Sequence, residues 1–125
     1  ISEEQLVDAN LDGPKIIKID QSKKMYDSKT AFFIDARDSL LFKEGHISGA
    51  INIHFESHDD DAIIEKLDGI ASDDFLIIYC SGGDCDLSEE LGNHLFEYLF
   101  YENILLYEGG FPEWEDSKYP ITYGQ

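Results

Sequence analysis

Two cysteines five positions apart, Cys80 and Cys85, are the side chains in this chain best suited to covalent chemistry. They bracket Ser81-Gly-Gly-Asp84, and the apolar run Phe75-Leu-Ile-Ile-Tyr79 leads into the first of them. A strand that ends in a cysteine, then a glycine-bearing loop, then a helix is an arrangement that activates a thiolate. Amides of the loop and of the helix N-terminus point toward a sulfur placed there. The thiolate, not the thiol, is the effective nucleophile toward sulfur. Gly82 and Gly83 let the loop curl its N–H groups inward, because glycine tolerates positive φ.

The elements that must hold this loop are legible around it. Phe75 to Tyr79 reads as the central strand. The helix after it carries Leu87, Leu91, Leu95 and Leu99 at fourfold spacing, with Tyr98 beside them. Asp86 followed three residues later by Glu89 resembles a capping box. Ala31 to Ile34 is a second buried strand, and Ile16–Ile19, Ala50–Ile53 and Asn103–Tyr107 are three more. Asp20 is placed to cap a short helix through Tyr26. Ser39 to Glu44 reads as a helical turn stopped by Gly45. Asp59-Asp-Asp61 reads as the solvated start of a helix over 62–67, and Gly109 to Trp114 as a turn into a short helix. Short apolar strands alternating with helices imply a parallel sheet covered on both faces. Sites in such sheets lie at the carboxyl ends of the strands, where Cys80 is.

The chain of 125 residues is one domain's worth, a polar lead-in over 1–15 followed by a domain over 16–125. Nine basic residues against 27 acidic ones give a net charge of −18, which argues against nucleic acid or an anionic membrane as partner. No apolar run is long enough to span a bilayer. The first residue is Ile, so the chain reads as a processed product or a piece of something longer. A targeting or membrane segment upstream is compatible with that, and localisation is left open. Two cysteines are too few for a disulfide scaffold.

Four motifs, in order, resemble the rhodanese-like domain family. Asp35-Ala-Arg37 follows a buried strand. Gly45-His-Ile-Ser-Gly-Ala-Ile-Asn-Ile53 is similar to the family's first signature, with Ser48 where Pro is commoner. Ile78-Tyr-Cys80 is similar to the strand entering its active-site loop, and Leu106-Tyr-Glu-Gly-Gly-Phe-Pro-Glu-Trp114 to its closing motif. The resemblance runs from about Ile16 to Ile121. It implies an α/β fold, a five-stranded mostly parallel sheet with helices on both faces. It also implies a cysteine that accepts sulfane sulfur as a persulfide and passes it on. On that map Cys80 is the catalytic residue, and Ser81, Gly82, Gly83, Asp84, Cys85 and Asp86 form the substrate-binding loop. No cofactor and no metal is implied. The partners are a small-molecule or protein persulfide donor and a thiol acceptor, with the oligomeric state open.

The loop departs from the family in three ways. It carries no basic residue to hold thiosulfate, and Asp84 and Asp86 set a repulsive field for an anionic donor. It is longer than the common version. A related branch, the cell-cycle tyrosine phosphatases, uses Cys-x5-Arg, but position 86 is Asp here and repels phosphate. Cys85 is the third departure. It reads either as a resolving cysteine that attacks a persulfide or sulfenate of Cys80 and closes a disulfide, which needs Cα atoms within about 7 Å, or as a loop residue without a role.

Other candidates are weaker. His46 reads as a structural histidine bonding nearby backbone, with a general base for Cys80 as the alternative. Arg37 reads as structural, paired with a carboxylate, with a place at the border of the site mouth as the alternative. His54, His58 and His94 lack ligand spacing, so a zinc site with the cysteines is disfavoured. Tyr79 reads as core, and Phe111 and Trp114 as core or rim packing. Three functions remain in play: a sulfurtransferase or sulfur carrier, a thiol–disulfide redox module using Cys80 and Cys85, and a non-catalytic interaction domain.

Overall fold

The computed structural model describes residues 13–124. Most of the lead-in read over 1–15 therefore lies outside the described residues, and Lys15 already belongs to the first strand. Strand β1 (Lys15–Ile17) leads into α1 (Ile19–Ser28), β2 (Ala31–Asp35), α2 (Ser39–Glu44), β3 (His46–Ile47) and β4 (Ile51–Asn52). A 3-10 turn (Phe55–Ser57) and α3 (Asp60–Lys66) precede β5 (Phe75–Tyr79). Then come α4 (Leu87–Glu97), β6 (Asn103–Tyr107), α5 (Gly110–Asp116) and β7 (Ile121–Thr122).

Five strands form one sheet in the order β1-β6-β5-β2-β4, all parallel, and β3 pairs antiparallel with β7 in a separate two-stranded ribbon. The sheet and its helices bear out the α/β architecture expected from the alternating pattern. Strand β5 is central because it is apolar at nearly every position. Such a run is stable only with both faces covered.

Alternation along β5 divides the core in two. Leu76, Ile78 and Cys80 face a layer with Ile63 and Leu67 from the α3 segment and Leu91 and Leu95 from α4. Ile77 and Tyr79 face Met25 of α1 and Phe111 and Trp114 of α5. Helices thus lie on both faces, and Tyr79, Phe111 and Trp114 are core.

Two capping expectations are corrected. Helix α1 begins at Ile19 with Lys18 in the capping position, so Asp20 sits inside the first turn rather than at the cap. Asp86 does occupy the capping position of α4 but makes no side-chain cap bond. Its backbone, at φ −106° and ψ 10°, is not in the extended region a capping side chain ordinarily needs. By contrast Asp59 caps α3 by accepting from the Ala62 amide at 2.9 Å. Asp38 caps α2 through the Leu41 amide at 3.0 Å.

Candidate active site

Cys80 is the first residue beyond β5 and is 3% exposed. Its carbonyl accepts from the Phe111 amide at 2.9 Å, which ties the loop after β5 to the first turn of α5. Two glycines make that contact tight enough. Gly82 has φ +78° and Gly110 φ +72°. A Cβ on Gly82 would stand 2.5 Å from the Gly109 carbonyl oxygen, and one on Gly110 would meet the Gly82 nitrogen and the Cys80 carbonyl oxygen. The two backbones abut where side chains have no room.

The sulfur of Cys80 lies at the amino end of α4. The Ser88 hydroxyl oxygen, in the first turn of that helix, is 3.7 Å from Cys80 Sγ, and Ser88 is buried. The helix dipole presents partial positive charge there, and the uncapped Asp86 leaves the first-turn amides without a side-chain acceptor. Within the loop, the Cys85 amide donates to the Gly82 carbonyl at 3.1 Å. Among the described residues no backbone carbonyl accepts from the amides of Ser81, Gly82, Gly83, Asp84 or Asp86. Ser81, Gly83, Asp84 and Asp86 are exposed, while Gly82 and Cys85 are half-buried.

Cys85 folds back onto Cys80. The two sulfurs are disulfide-bonded, with Cα atoms 6.5 Å apart, inside the reach such a bond requires. The loop is therefore a closed ring of six residues, Cys80 to Cys85, whose turn is set by Gly82 and Gly83.

Arg37 does not border this loop as a free cation. Its guanidinium is buried against Asp35, with Nη2 to Oδ2 at 2.7 Å and Nε to Oδ1 at 3.0 Å, and also donates to the Gly45 carbonyl at 2.6 Å. Burial opposes its charge, but the hydrogen bond and charge of Asp35 outweigh that and raise its pKa. His46 is structural as well: its Nδ1 is 2.8 Å from the Phe42 carbonyl and its ring stacks on Phe42. His94 reaches Asp60 at 2.7 Å, and His54 and His58 bond Ser57 and the His54 carbonyl. Among the described residues no three His, Cys, Asp or Glu side chains converge as a metal cluster would need.

From sequence alone neither Ser88 nor the Gly109-Gly110 pair reads as part of the site. The signals were present: a serine in the first turn of the helix behind the loop, and a double glycine in the closing motif. Their contact with the loop is long-range, and spacing alone does not reveal it.

Comparisons with known proteins bear on the family and the fold. Residues 18–117 match the sequence model of the rhodanese-like domain. A thiosulfate sulfurtransferase, GlpE of Shewanella oneidensis, is 26% identical over 104 residues, covering 83% of this chain and 95% of its own. Among solved structures, the BH2092 protein of Bacillus halodurans superposes with a TM-score of 0.71 at 21% identity, over 87% of this chain and 77% of that one. Thiosulfate sulfurtransferase from Pseudomonas aeruginosa superposes at 0.69 and 18% identity, over 97% of this chain but 22% of that larger protein. The solved structures share the fold, and the family model, which covers residues 18–117, shows that the chain belongs to the rhodanese-like domain family.

Proposed function

We propose that this domain is a sulfurtransferase or sulfur carrier that holds sulfane sulfur as a persulfide on Cys80. The observation that carries the reading is the seat of the Cys80 sulfur at the amino end of α4, 3.7 Å from the Ser88 hydroxyl. The loop amides around it are not engaged by other backbone among the described residues. A seat at a helix N-terminus favours negative charge on sulfur, and it suits the terminal sulfur of a persulfide for the same reason. Family membership supports the general class, since relatives include sulfurtransferases.

The substrate class follows from charge. Asp84 and Asp86 stand exposed on the loop and Glu89 and Glu90 on the first turns of α4. The sequence's one arginine, Arg37, is held by Asp35. A neutral or protein-borne persulfide donor and a thiol acceptor fit that rim better than thiosulfate does. Intact-mass analysis after incubation with persulfide donors tests the reading. The reduced Cys85→Ser chain, in which no neighbouring thiol can displace the loaded sulfur, should gain the mass of one sulfur atom, and the same chain carrying Cys80→Ser should not. No gain with any donor, or equal gain in the double variant, disproves it.

A second reading, a thiol–disulfide redox module, is favoured by one observation, the direct pairing of Cys80 with Cys85. It requires a reversible disulfide, and a thiol count that stays at two across oxidising buffers rules it out.

A further inference from the structure

We infer that Cys85 resolves the Cys80 persulfide, so that sulfur leaves this site as hydrosulfide rather than passing intact to an outside thiol. The inference rests on the persulfide reading above and specifies what becomes of the loaded sulfur.

Three features of the loop point to it. The ring from Cys80 to Cys85 brings the two Sγ atoms together, so the atom within reach of Cys85 is the inner sulfur of a Cys80 persulfide. The Cys85 amide bond to the Gly82 carbonyl, at 3.1 Å, and the positive φ of Gly82 and Gly83 hold the loop in that turn. Cys80 is 3% exposed while Cys85 is half-buried, so attack on the inner sulfur falls to Cys85, and an outside thiol competes only at the terminal sulfur. A thiol on so short a loop acts at an effective concentration of about millimolar or above, ahead of most free acceptors.

The step balances. The Cys85 thiolate attacks Cys80 Sγ, the Cys80–Cys85 bond forms, and the bond from Cys80 Sγ to the terminal sulfur breaks. That sulfur takes the electron pair and departs as hydrosulfide. The sulfane sulfur is reduced by two electrons and the cysteine pair is oxidised by two. An external dithiol reductant then reopens the disulfide and returns both thiols. The rim of Asp84 and Asp86, which opposes the approach of an anion, favours the departure of one. The Ser88 hydroxyl oxygen lies 3.7 Å from Cys80 Sγ, so its O–H is within reach of that sulfur once reduction returns the thiolate.

The test is an anaerobic single turnover of the reduced, reductant-free chain with less than one equivalent of glutathione persulfide. Sulfide is captured as a bimane adduct, and thiols are counted by N-ethylmaleimide and intact mass. The native chain should release about one sulfide per sulfur loaded, and for each sulfide one chain should lose two hydrogens in mass and stop reacting with N-ethylmaleimide. Cys85→Ser and Cys85→Ala should keep the extra sulfur on Cys80 and release sulfide only after dithiothreitol, with initial release at least about tenfold slower than native. A native chain that holds its extra sulfur as long as the Cys85 variants do overturns the inference and leaves the persulfide reading standing. Variants that never take up sulfur, alongside a native chain that never does, overturn the persulfide reading itself.

Discussion

Asp35 and Tyr79 are partners twice over. They sit opposite each other in the register of β2 and β5, and the Tyr79 hydroxyl donates to Asp35 Oδ2 at 2.8 Å. The same hydroxyl accepts from the Ile47 amide at 3.0 Å, and Asp35 also binds Arg37. A polar knot under the sheet thus fixes the strand end from which Cys80 emerges on the other face.

Tyr79→Phe keeps the ring and removes that knot's centre. It leaves the Ile47 amide and one Asp35 oxygen short of a buried partner, which costs about 1–3 kcal/mol. The expected outcome is a lower urea midpoint with an unchanged slope. An unchanged midpoint shows that the bond contributes nothing net.

Alkaline pH should destabilise the fold through the same residue. Burial, followed by the charge of Asp35, raises the Tyr79 pKa far above its ordinary value, and burial with the Glu113 hydrogen bond does the same for Tyr107. A raised pKa means the unfolded chain releases the proton first. The stabilisation is fully present below about pH 10 and is lost as pH rises beyond it, by at most about 1.4 kcal/mol per pH unit for each tyrosine. Urea titrations between about pH 9 and 11.5 should show a shallower decline in Tyr79→Phe than in the native chain. Parallel curves contradict the assignment to Tyr79.

Gly110→Ala should damage the active loop from outside it. The new Cβ lies 2.6 Å from the Cys80 carbonyl oxygen and against the Gly82 nitrogen, at a φ of +72°. Gly49 has a similar φ of +87° but nothing within 4 Å, so Gly49→Ala reports backbone strain alone. The expected cost is about 1 kcal/mol at Gly49 and about 2–4 kcal/mol at Gly110, with sulfur uptake reduced only at the latter. Equal costs at the two sites show that the loop contact does not matter.

In a Cys85→Ser background, reduced Cys80 should react with iodoacetamide well below the pH at which an ordinary thiol, of pKa about 8.5, ionises. Adding Ser88→Ala removes the hydroxyl 3.7 Å from Sγ and should move the reaction profile upward. A profile centred on the ordinary value indicates a cysteine that its helix does not activate.

What the sequence discloses depends on how local the cause is. Strand β5 and strand β6 are found at their observed bounds because a continuous apolar run needs no partner to be recognised. Helix α2 is found because Gly45 ends it. The β3–β7 ribbon is missed: each strand has two residues, and His46 meets Thr122 only through the fold. The polar knot is likewise hidden, since Asp35 and Tyr79 become neighbours only once the register is set. At the site, the cysteines and glycines are legible because loop chemistry is local. Ser88 is not, because its role depends on how α4 is aimed. Asp86 misleads for the opposite reason: a good capping residue type occupies the capping position, yet the loop holds its backbone where the side chain makes no cap.

The acidic rim makes the last expectation a change of substrate. Asp84 and Asp86 are exposed, and Asp86 makes no cap bond, so both can be replaced at little structural cost. Asp84→Lys with Asp86→Asn removes two negative charges and adds a positive one beside the Cys80 loop. Exposed charges at such distances act with about 0.5–1 kcal/mol each. Together they should lower the KM for thiosulfate by about tenfold, with KM for a neutral persulfide donor changed much less. Salt screens exposed charges, so the gain should shrink as ionic strength rises toward 1 M. If the thiosulfate KM does not move, or moves equally for both donors, charge on this loop does not choose the donor, and the preference must lie in the shape of the Cys80 cradle.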